Sequence, residues 1–498
     1  MTASTDVIIV GGGHNGLVAA AYLGRAGHRV TVLEARDTLG GAVAGAAAFP
    51  GVDARLSRFS YLVSLLPEKI IADLGLDLEL RSRAIRSYTP VGDSGILVGR
   101  SARDQTALDR ALQSFATVVE PTLTEPLPRV GSLREQVDSE LWSALVERPI
   151  GELIEASETN DARRGTLLTD ALIGTFSWAH DPSLRQNRCF VYHVIGNGTG
   201  EWRVPVGGMG AVADALARAA TAAGADLRTK VQVTGITASD DGPFQVQLVD
   251  GETLSADVVL ANCAPATLAK LLGEESAAPA PVGSQIKINM VVRRLPRLRS
   301  GLDPEVAFAG TLHLGQGYAR LQEAYAEAAA GRIPDPMPCE VYCHSLTDPS
   351  ILGEKLRSVG YHTLTLFGLH TPVGLFRSDP DRARTRARRA ALRSLQEALA
   401  EPLGDVLARD ANGRPCLEVM TPVDLERELE LPGGHIFHGD LQWPWLPDEP
   451  VADTPASRWG VATEHPGLLL CGSGAVRGGA VSGLGGHNAA MAALEMIG

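Results

Sequence analysis

A chain of 498 residues, 45% hydrophobic and 21% charged, has room for two or three domains around a large buried core. A formal charge of −13 argues against nucleic acid as a partner, and six cysteines at no regular spacing fit a reducing compartment rather than a disulfide scaffold. No Lys or Arg precedes the first apolar run, so no signal peptide is read and a cytoplasmic location is expected.

In chain order, Val7 to Val10 is a short continuous apolar run, the pattern of a strand buried on both faces. Residues 7–24 carry no charge and approach the length of a membrane span, but the glycines with His14 and Asn15 read instead as strand, turn and helix. Gly11, Gly13 and Gly16 form G-x-G-x-x-G: a tight turn, backbone access for a pyrophosphate, and close packing of helix on strand. An Ala-rich helix over 17–25 places its positive end at the phosphates. A second strand over 29–33 follows, with Glu34 at its end, 18 residues after Gly16, where a carboxylate accepts hydrogen bonds from ribose hydroxyls; Ala35 comes next. Gly40 and Gly41, followed by Ala42, supply a second glycine pair. A cofactor limited to NAD has no use for such a pair, so the pattern points to FAD.

Residues 50–200 read as mainly helical. Gly208, Gly210 and Ala213 imitate a second dinucleotide fingerprint, but Trp202, Arg203 and Pro205 spoil the strand that should precede it. "TKVQVTGI" is expected as one strand. Then come a hairpin turning at Asp250-Gly251 and a buried strand ending near Asn262. "GSQIKINMVV" reads as an alternating strand in which Lys287 stands between Ile286 and Ile288. Two readings stay open there: a solvent-facing lysine, or a functional one. A helix within 379–399, capped by Asp379 or Asp381, should bury a stripe of Leu392, Leu395 and Leu399. Cys339 and Cys343 on an extended strand lie about 13 Å apart, which suits neither a disulfide nor one metal. His435 and His438 follow two glycines and make no convincing metal pair, so no metal site is expected. Finally, eight glycines fall within residues 467–486, a density that implies close approach of something to the backbone.

The stretches "VLEARDTLGG", "FPGVDARLSRFSYLVSLL", "EWRVPVGGMGAVADALA", "TPVDLERELELPGGHIFHGDL" and "LLLCGSGAVRGGAVSGLGGHNAA" span nearly the whole chain. Together they resemble the flavin-dependent amine oxidase and phytoene desaturase superfamily, most closely its phytoene desaturase-like branch. The resemblance implies an α/β fold with an α+β second domain. A Rossmann-like FAD-binding domain (1–50, 200–268 and 455–498) would be interleaved with a substrate domain of mixed sheet and helices (51–199 and 269–454).

The resemblance also implies non-covalent FAD, with His14, Asn15 and Ala35 among the cofactor contacts and Val233 meeting the adenine through its backbone. Gly472, Ser473 and Gly474 would pass the pyrophosphate, and Gly479, Ala480 and Val481 the isoalloxazine. Residues 482–486 would open the last helix toward flavin N1 and O2. The family commonly carries an Arg after the second glycine pair; here Ala42 stands there, so no such contact is carried over. Lys287 would hold a water at flavin N5, and His435 and His438 would line the substrate pocket. The implied function is an FAD-dependent oxidoreductase of desaturase or oxidase type, taking a hydride from an apolar or amphipathic small molecule onto N5. A redox-neutral FAD-dependent isomerase and a flavin-binding scaffold without turnover stand as alternatives. A small-molecule substrate is the expected partner. No transmembrane segment is read, peripheral contact with a membrane is left open, and the sequence does not speak to oligomeric state.

Overall fold

The computed structural model describes residues 5–498 apart from 64, 102–103, 199, 238–241, 277–278 and 480. The apolar run Val7–Val10 forms the middle strand of a five-stranded, all-parallel sheet. The order across it is Leu468–Leu470, Val258–Ala261, Val7–Val10, Val30–Glu34 and Asp226–Thr229. The three inner strands are buried along their whole length, as a sheet covered on both faces requires. On one face the helices His14–Arg25, Met209–Ala222 and Leu484–Ile497 pack together over a core that includes Val7, Ile9, Val32 and Leu260. On the other, Ile8, Val10, Leu33 and Val259 meet a three-stranded antiparallel sheet through Ile236, Val246 and Leu248. The hairpin at Asp250-Gly251 belongs to this smaller sheet, joining Phe244–Leu248 to Thr253–Ala256.

"TKVQVTGI" is not one strand. The chain leaves the parallel sheet after Thr229 and enters the antiparallel one at Val233–Thr237. Lys230 turns it with φ +60°, donating its N–H to the Arg36 carbonyl, while Val231 donates to that of Glu34. Val204–Pro205 pairs with Leu80–Arg81, outside the parallel sheet, so the glycines before Met209–Ala222 lack the strand a second dinucleotide fingerprint needs.

A second, seven-stranded mixed sheet runs in the order Leu417–Met420, Ile286–Val292, His362–Gly368, Cys339–Tyr342, Thr311–Leu314, Ser87–Val91, Ser94–Val98. Only the pairing of Thr311–Leu314 with Ser87–Val91 is parallel. The strand Ile286–Val292 does alternate, but between two buried faces rather than between core and water. Ile286, Ile288, Met290, Leu364, Leu366, Val341 and Leu312 form the apolar face, packed by the helix Pro380–Ala398. That helix is capped by Asp379, which accepts from the Arg382 N–H. Its buried stripe is chiefly Ala383, Ala387, Ala390 and Ala391 with Leu395; Leu399, just past the helix end, is buried as expected, and Leu392 is only partly buried. Alanines let the helix approach the sheet closely, which a leucine stripe would prevent.

Residues 107–195 supply the expected helices around Phe115, Trp142, Leu145 and Phe190. The hairpin Ser87–Val98, read as helical territory, instead completes the mixed sheet.

Candidate functional site

The C-terminal edge of the parallel sheet is built from glycine. Gly11 leaves its strand with φ +104°, and the Asn262 amide donates to its carbonyl at 2.8 Å. Gly13 caps the helix His14–Arg25 without a side-chain bond, and no acid stands in the first turn, so the positive helix end is left for an anionic ligand. A Cβ at Gly13 would meet only the Asn262 amide nitrogen, at 3.1 Å, whereas one at Gly16 would lie 2.4 Å from the Gly11 carbonyl oxygen. Gly13 thus keeps a space open, and Gly16 seats helix on strand. Gly12 donates to Glu34 Oε2 at 2.8 Å and the Arg36 N–H to Oε1 at 2.9 Å, which fixes the carboxylate at the strand end with lone pairs to spare. Ala35 beside it is exposed, and Val233 is buried among Val10 and Leu33.

Gly40 bonds back through its N–H to the Gly12 carbonyl at 2.8 Å and forms a bridge with Gly13; a Cβ on Gly41 would stand 3.2 Å from the Gly13 Cα. The two glycine pairs are therefore adjacent in space. From the other end of the chain, Leu468–Leu470 joins the sheet and the Cys471 N–H donates to the Ala261 carbonyl at 2.9 Å. Gly472 then lies against the Asn262 backbone and the His438 ring, Gly474 against Pro265, and Ser473 is buried. The helix Leu484–Ile497, capped by Gly483, starts against the start of His14–Arg25. Cβ atoms at Gly485 and Gly486 would lie 2.6 Å from the Gly472 carbonyl oxygen and 1.9 Å from that of Asn15. The Asn15 side-chain oxygen is buried there without a partner among the described residues. Two glycine-capped helix ends, the paired glycine turns, Glu34 and an orphaned amide oxygen fit a dinucleotide. Val481 is buried beyond them, Gly479 has φ +113° and faces Tyr192 and Leu441, and Ala480 lies outside the described residues.

The polar face of the mixed sheet forms a second wall. Cross-strand register aligns Lys287 with Phe367, Glu340 and His313, and the next row Asn289 with Thr365, Tyr342 and Thr311. All eight are buried. Lys287 is not at the surface: it is 4% exposed, and its Nζ donates to the carbonyls of Ser57 and Ser60 at 2.6 Å each, 5.5 Å from the Phe367 ring centre. Burial pulls its ammonium down to about 7, against the opposing pull of Glu418. Ser57 Oγ in turn donates to the Ala42 carbonyl at 3.4 Å, so one residue connects Lys287 to the second glycine pair. Glu340 accepts from the Tyr342 hydroxyl at 2.6 Å, and burial pushes its carboxyl up to about 8. Arg83 donates to Thr311 Oγ1 at 2.8 Å and lies over the Tyr342 ring, with Tyr61 against Tyr342 and Phe367. A cleft lined by Ser57, Ser60, Tyr61, Met209, His344 and Thr365 opens beside this wall.

His435 and His438 do different things. His435 is buried, accepts the Phe437 N–H at Nδ1 and sets Nε2 3.8 Å from Asp440. His438, with φ +66°, touches the candidate cofactor edge at Gly472; burial, with the charges of His14 and His435, pulls it down to about 3. Sequence reasoning missed Asn262, Ser57, Glu340, Tyr342 and Arg83. The one available signal was Glu340 standing between apolar neighbours in "CEVYC".

Fold and site together define a flavin-dependent oxidoreductase. The family description "NAD(P)-binding Rossmann-like domain" matches residues 9–67, and "Flavin containing amine oxidoreductase" matches residues 68–326; the chain belongs to the flavin-containing amine oxidoreductase family. It is similar to Uncharacterized protein Rv0897c of Mycobacterium tuberculosis, 50% identical over 99% of this chain and 97% of that one. It is also similar to the Pyridine nucleotide-disulfide oxidoreductase domain-containing protein 2 of Rattus norvegicus, 32% identical over 97% of this chain and 92% of that one. The fold is shared with Cyclohexylamine Oxidase from Brevibacterium oxydans, with TM-score 0.54, 16% identity, and coverage of 99% of this chain and 98% of that one.

Proposed function

We propose that this protein binds one non-covalent FAD and oxidises an apolar or amphipathic small molecule, as a desaturase or oxidase. The observation that carries the reading is the meeting of two glycine-capped helix ends with two glycine pairs and Glu34 at one sheet edge. FAD, when bound, supplies the hydride-accepting atom, N5. Gly13, with Gly40 and Gly41 beside it, would let its pyrophosphate reach backbone N–H groups, Gly11 and Gly16 would shape the turn that does so, and Glu34 would take ribose hydroxyls. The glycines 472, 474 and 479 give the C-terminal segment its close approach. Lys287 spends two N–H donors on Ser57 and Ser60, and the third N–H of its ammonium would be left to hold a water beside the flavin. The polar wall orients the substrate, and the aromatic side chains of Tyr61, Tyr342 and Phe367 exclude bulk water from it.

The division into an FAD domain (1–50, 200–268 and 455–498) and a substrate domain (51–199 and 269–454) belongs to the same proposal. It is supported by the strands of the parallel sheet all falling in the first set and those of the mixed sheet all in the second. Among the described residues no helix is long and apolar enough to cross a membrane. The test is direct: purified protein is expected to be yellow, with about one FAD released to the supernatant by acid. Colourless protein that fails to take up added FAD refutes the proposal, and flavin retained in the acid pellet refutes non-covalent binding.

A further inference from the structure

Next to the glycine-rich C-terminal segment lies a cleft whose walls are apolar: Leu65, Val191, Ile195, Leu441 and Leu484 face it. Its polar lining is made mostly of hydrogen-bond donors. Arg477, Arg188 and Tyr192 contribute to it, and among the described residues no Asp or Glu does. Arg477 is the unusual member. It is 4% exposed, and its Nη1 is held by the carbonyls of Leu123 and Glu125. Its Nε and Nη2 are buried without a partner among the described residues, and so is the Tyr192 hydroxyl. A buried cation with idle N–H groups is costly, and natural interiors satisfy such groups.

The geometry of the idle groups narrows the ligand. Nε–H and Nη2–H lie on one edge of the guanidinium and point the same way, which is the fork that receives both oxygens of a carboxylate. Nη1, occupied by two carbonyls, holds that fork in place. Arg188 adds positive charge, although its Nε already donates to the Leu441 carbonyl at 2.5 Å and its Nη1 to that of Ser183 at 3.2 Å. The cleft adjoins the segment proposed to face the flavin: a Cβ at Gly479 would stand 3.0 Å from both Leu441 and Tyr192.

We propose that Arg477, with Tyr192 and Arg188, binds the carboxylate of a small amphipathic acid whose apolar body fills the cleft. The anion site stands on the side chains just described. Naming its ligand the substrate class rests on the oxidoreductase reading above.

The test is calorimetric titration of the purified, FAD-loaded protein with dodecanoate, dodecan-1-ol and dodecylamine, each below its aggregation threshold. Dodecanoate is expected to bind one per chain and at least tenfold tighter than the alcohol or the amine, which share its apolar body and lack its charge. Arg477→Met is expected to lose that tenfold advantage while keeping the alcohol's affinity. Arg477→Lys should recover part of it, since a point charge attracts the anion but offers no fork. Equal binding of dodecanoate and dodecan-1-ol to the wild type overturns the proposal, and this arm needs no variant to fold. Undiminished dodecanoate binding by Arg477→Met also overturns it. So does loss of FAD by that variant with the ligand ranking unchanged, which assigns the fork to the cofactor. Tyr192→Phe, expected to weaken dodecanoate about threefold, supplies a milder second variant. A flavin-free protein that still ranks dodecanoate first supports the anion site and removes only the FAD reading.

Discussion

In the five-stranded parallel sheet both faces are apolar, and the groups that bear chemistry lie beyond the strand ends, in turns made of glycine. In the seven-stranded sheet the groups lie along the strands themselves. One face is Ile, Leu, Val and Met under the helix Pro380–Ala398, and the other is Lys287, Glu340, His313, Asn289 and their neighbours, equally buried. On the proposed reading the first region would bind with backbone and need side chains to be absent. The second would act with side chains and must compensate each buried polar group. Local backbone requirements are met by a short contiguous motif, whereas a wall of paired polar side chains is assembled from strands far apart in the chain.

The contrast is sharpest at glycine. Gly13 has an extended backbone with φ −70°, and a side chain there meets only the Asn262 amide. Gly13→Leu is therefore expected to lose FAD by more than about 100-fold while the flavin-free protein unfolds at an unchanged temperature. Gly479→Leu should behave otherwise. With φ +113° and Leu441 and Tyr192 already at 3.0 Å, it should destabilise the flavin-free protein as well, by about 2–4 kcal/mol. Full FAD occupancy in Gly13→Leu, measured by absorbance against protein, breaks the backbone-built reading of the first region.

Glu34→Ala tests the acid that holds the Gly12 turn in that region. It should weaken FAD by about 1–3 kcal/mol in equilibrium dialysis, through lost ribose bonds and a looser Gly12 turn. An unchanged dissociation constant removes Glu34 from the site.

Lys287→Met probes the second region. FAD affinity should stay as it is, while reoxidation by oxygen after photoreduction slows ten- to a hundredfold, about 1.4–2.7 kcal/mol of barrier. An unchanged rate together with lowered stability makes Lys287 a clamp on the Ser57 and Ser60 carbonyls and nothing more.

Per pH unit the smallest effects are those on stability, and the two buried titratable groups pull in opposite directions. The folded-state carboxyl of Glu340 titrates near 8, far above its ordinary 4.5, so the folded chain holds the extra proton between those values. Its contribution to stability is complete below about 4.5 and is lost as pH rises to 8. Lys287 titrates near 7 when folded and near 10.5 when unfolded, so the unfolded chain holds the extra proton and stability rises from 7 toward 10.5. Each slope is at most about 1.4 kcal/mol per pH unit. Urea midpoints across pH 5–10 should lose the decline in Glu340→Gln and the later rise in Lys287→Met. Parallel profiles for wild type and both variants mean that neither group is as desolvated as the fold implies.

The sequence by itself determined the geometry of the glycine-built edge. Glycines at 11, 13 and 16, an apolar run before them and an acid after the next strand impose one local geometry, because the positive φ of Gly11 and the close helix contact at Gly16 admit little but glycine. Glycine density marked residues 467–486 only as closely approached; their return to this edge came from the family resemblance, and in the fold the helix Leu484–Ile497 starts against Asn15. Tertiary structure decided the rest. Nothing in "GSQIKINMVV" tells whether the alternate residues face water or a polar interior, since period two looks the same in both cases; the packing of residues 57–61 over that face is what buries Lys287. Arg477, one cation in a run of glycines, becomes a candidate anion fork only where residues 123–125 occupy one of its nitrogens and leave the other two idle. Backbone conformation is a property of neighbours in sequence, whereas desolvation and pairing are properties of neighbours in space, and only the folded chain brings those together.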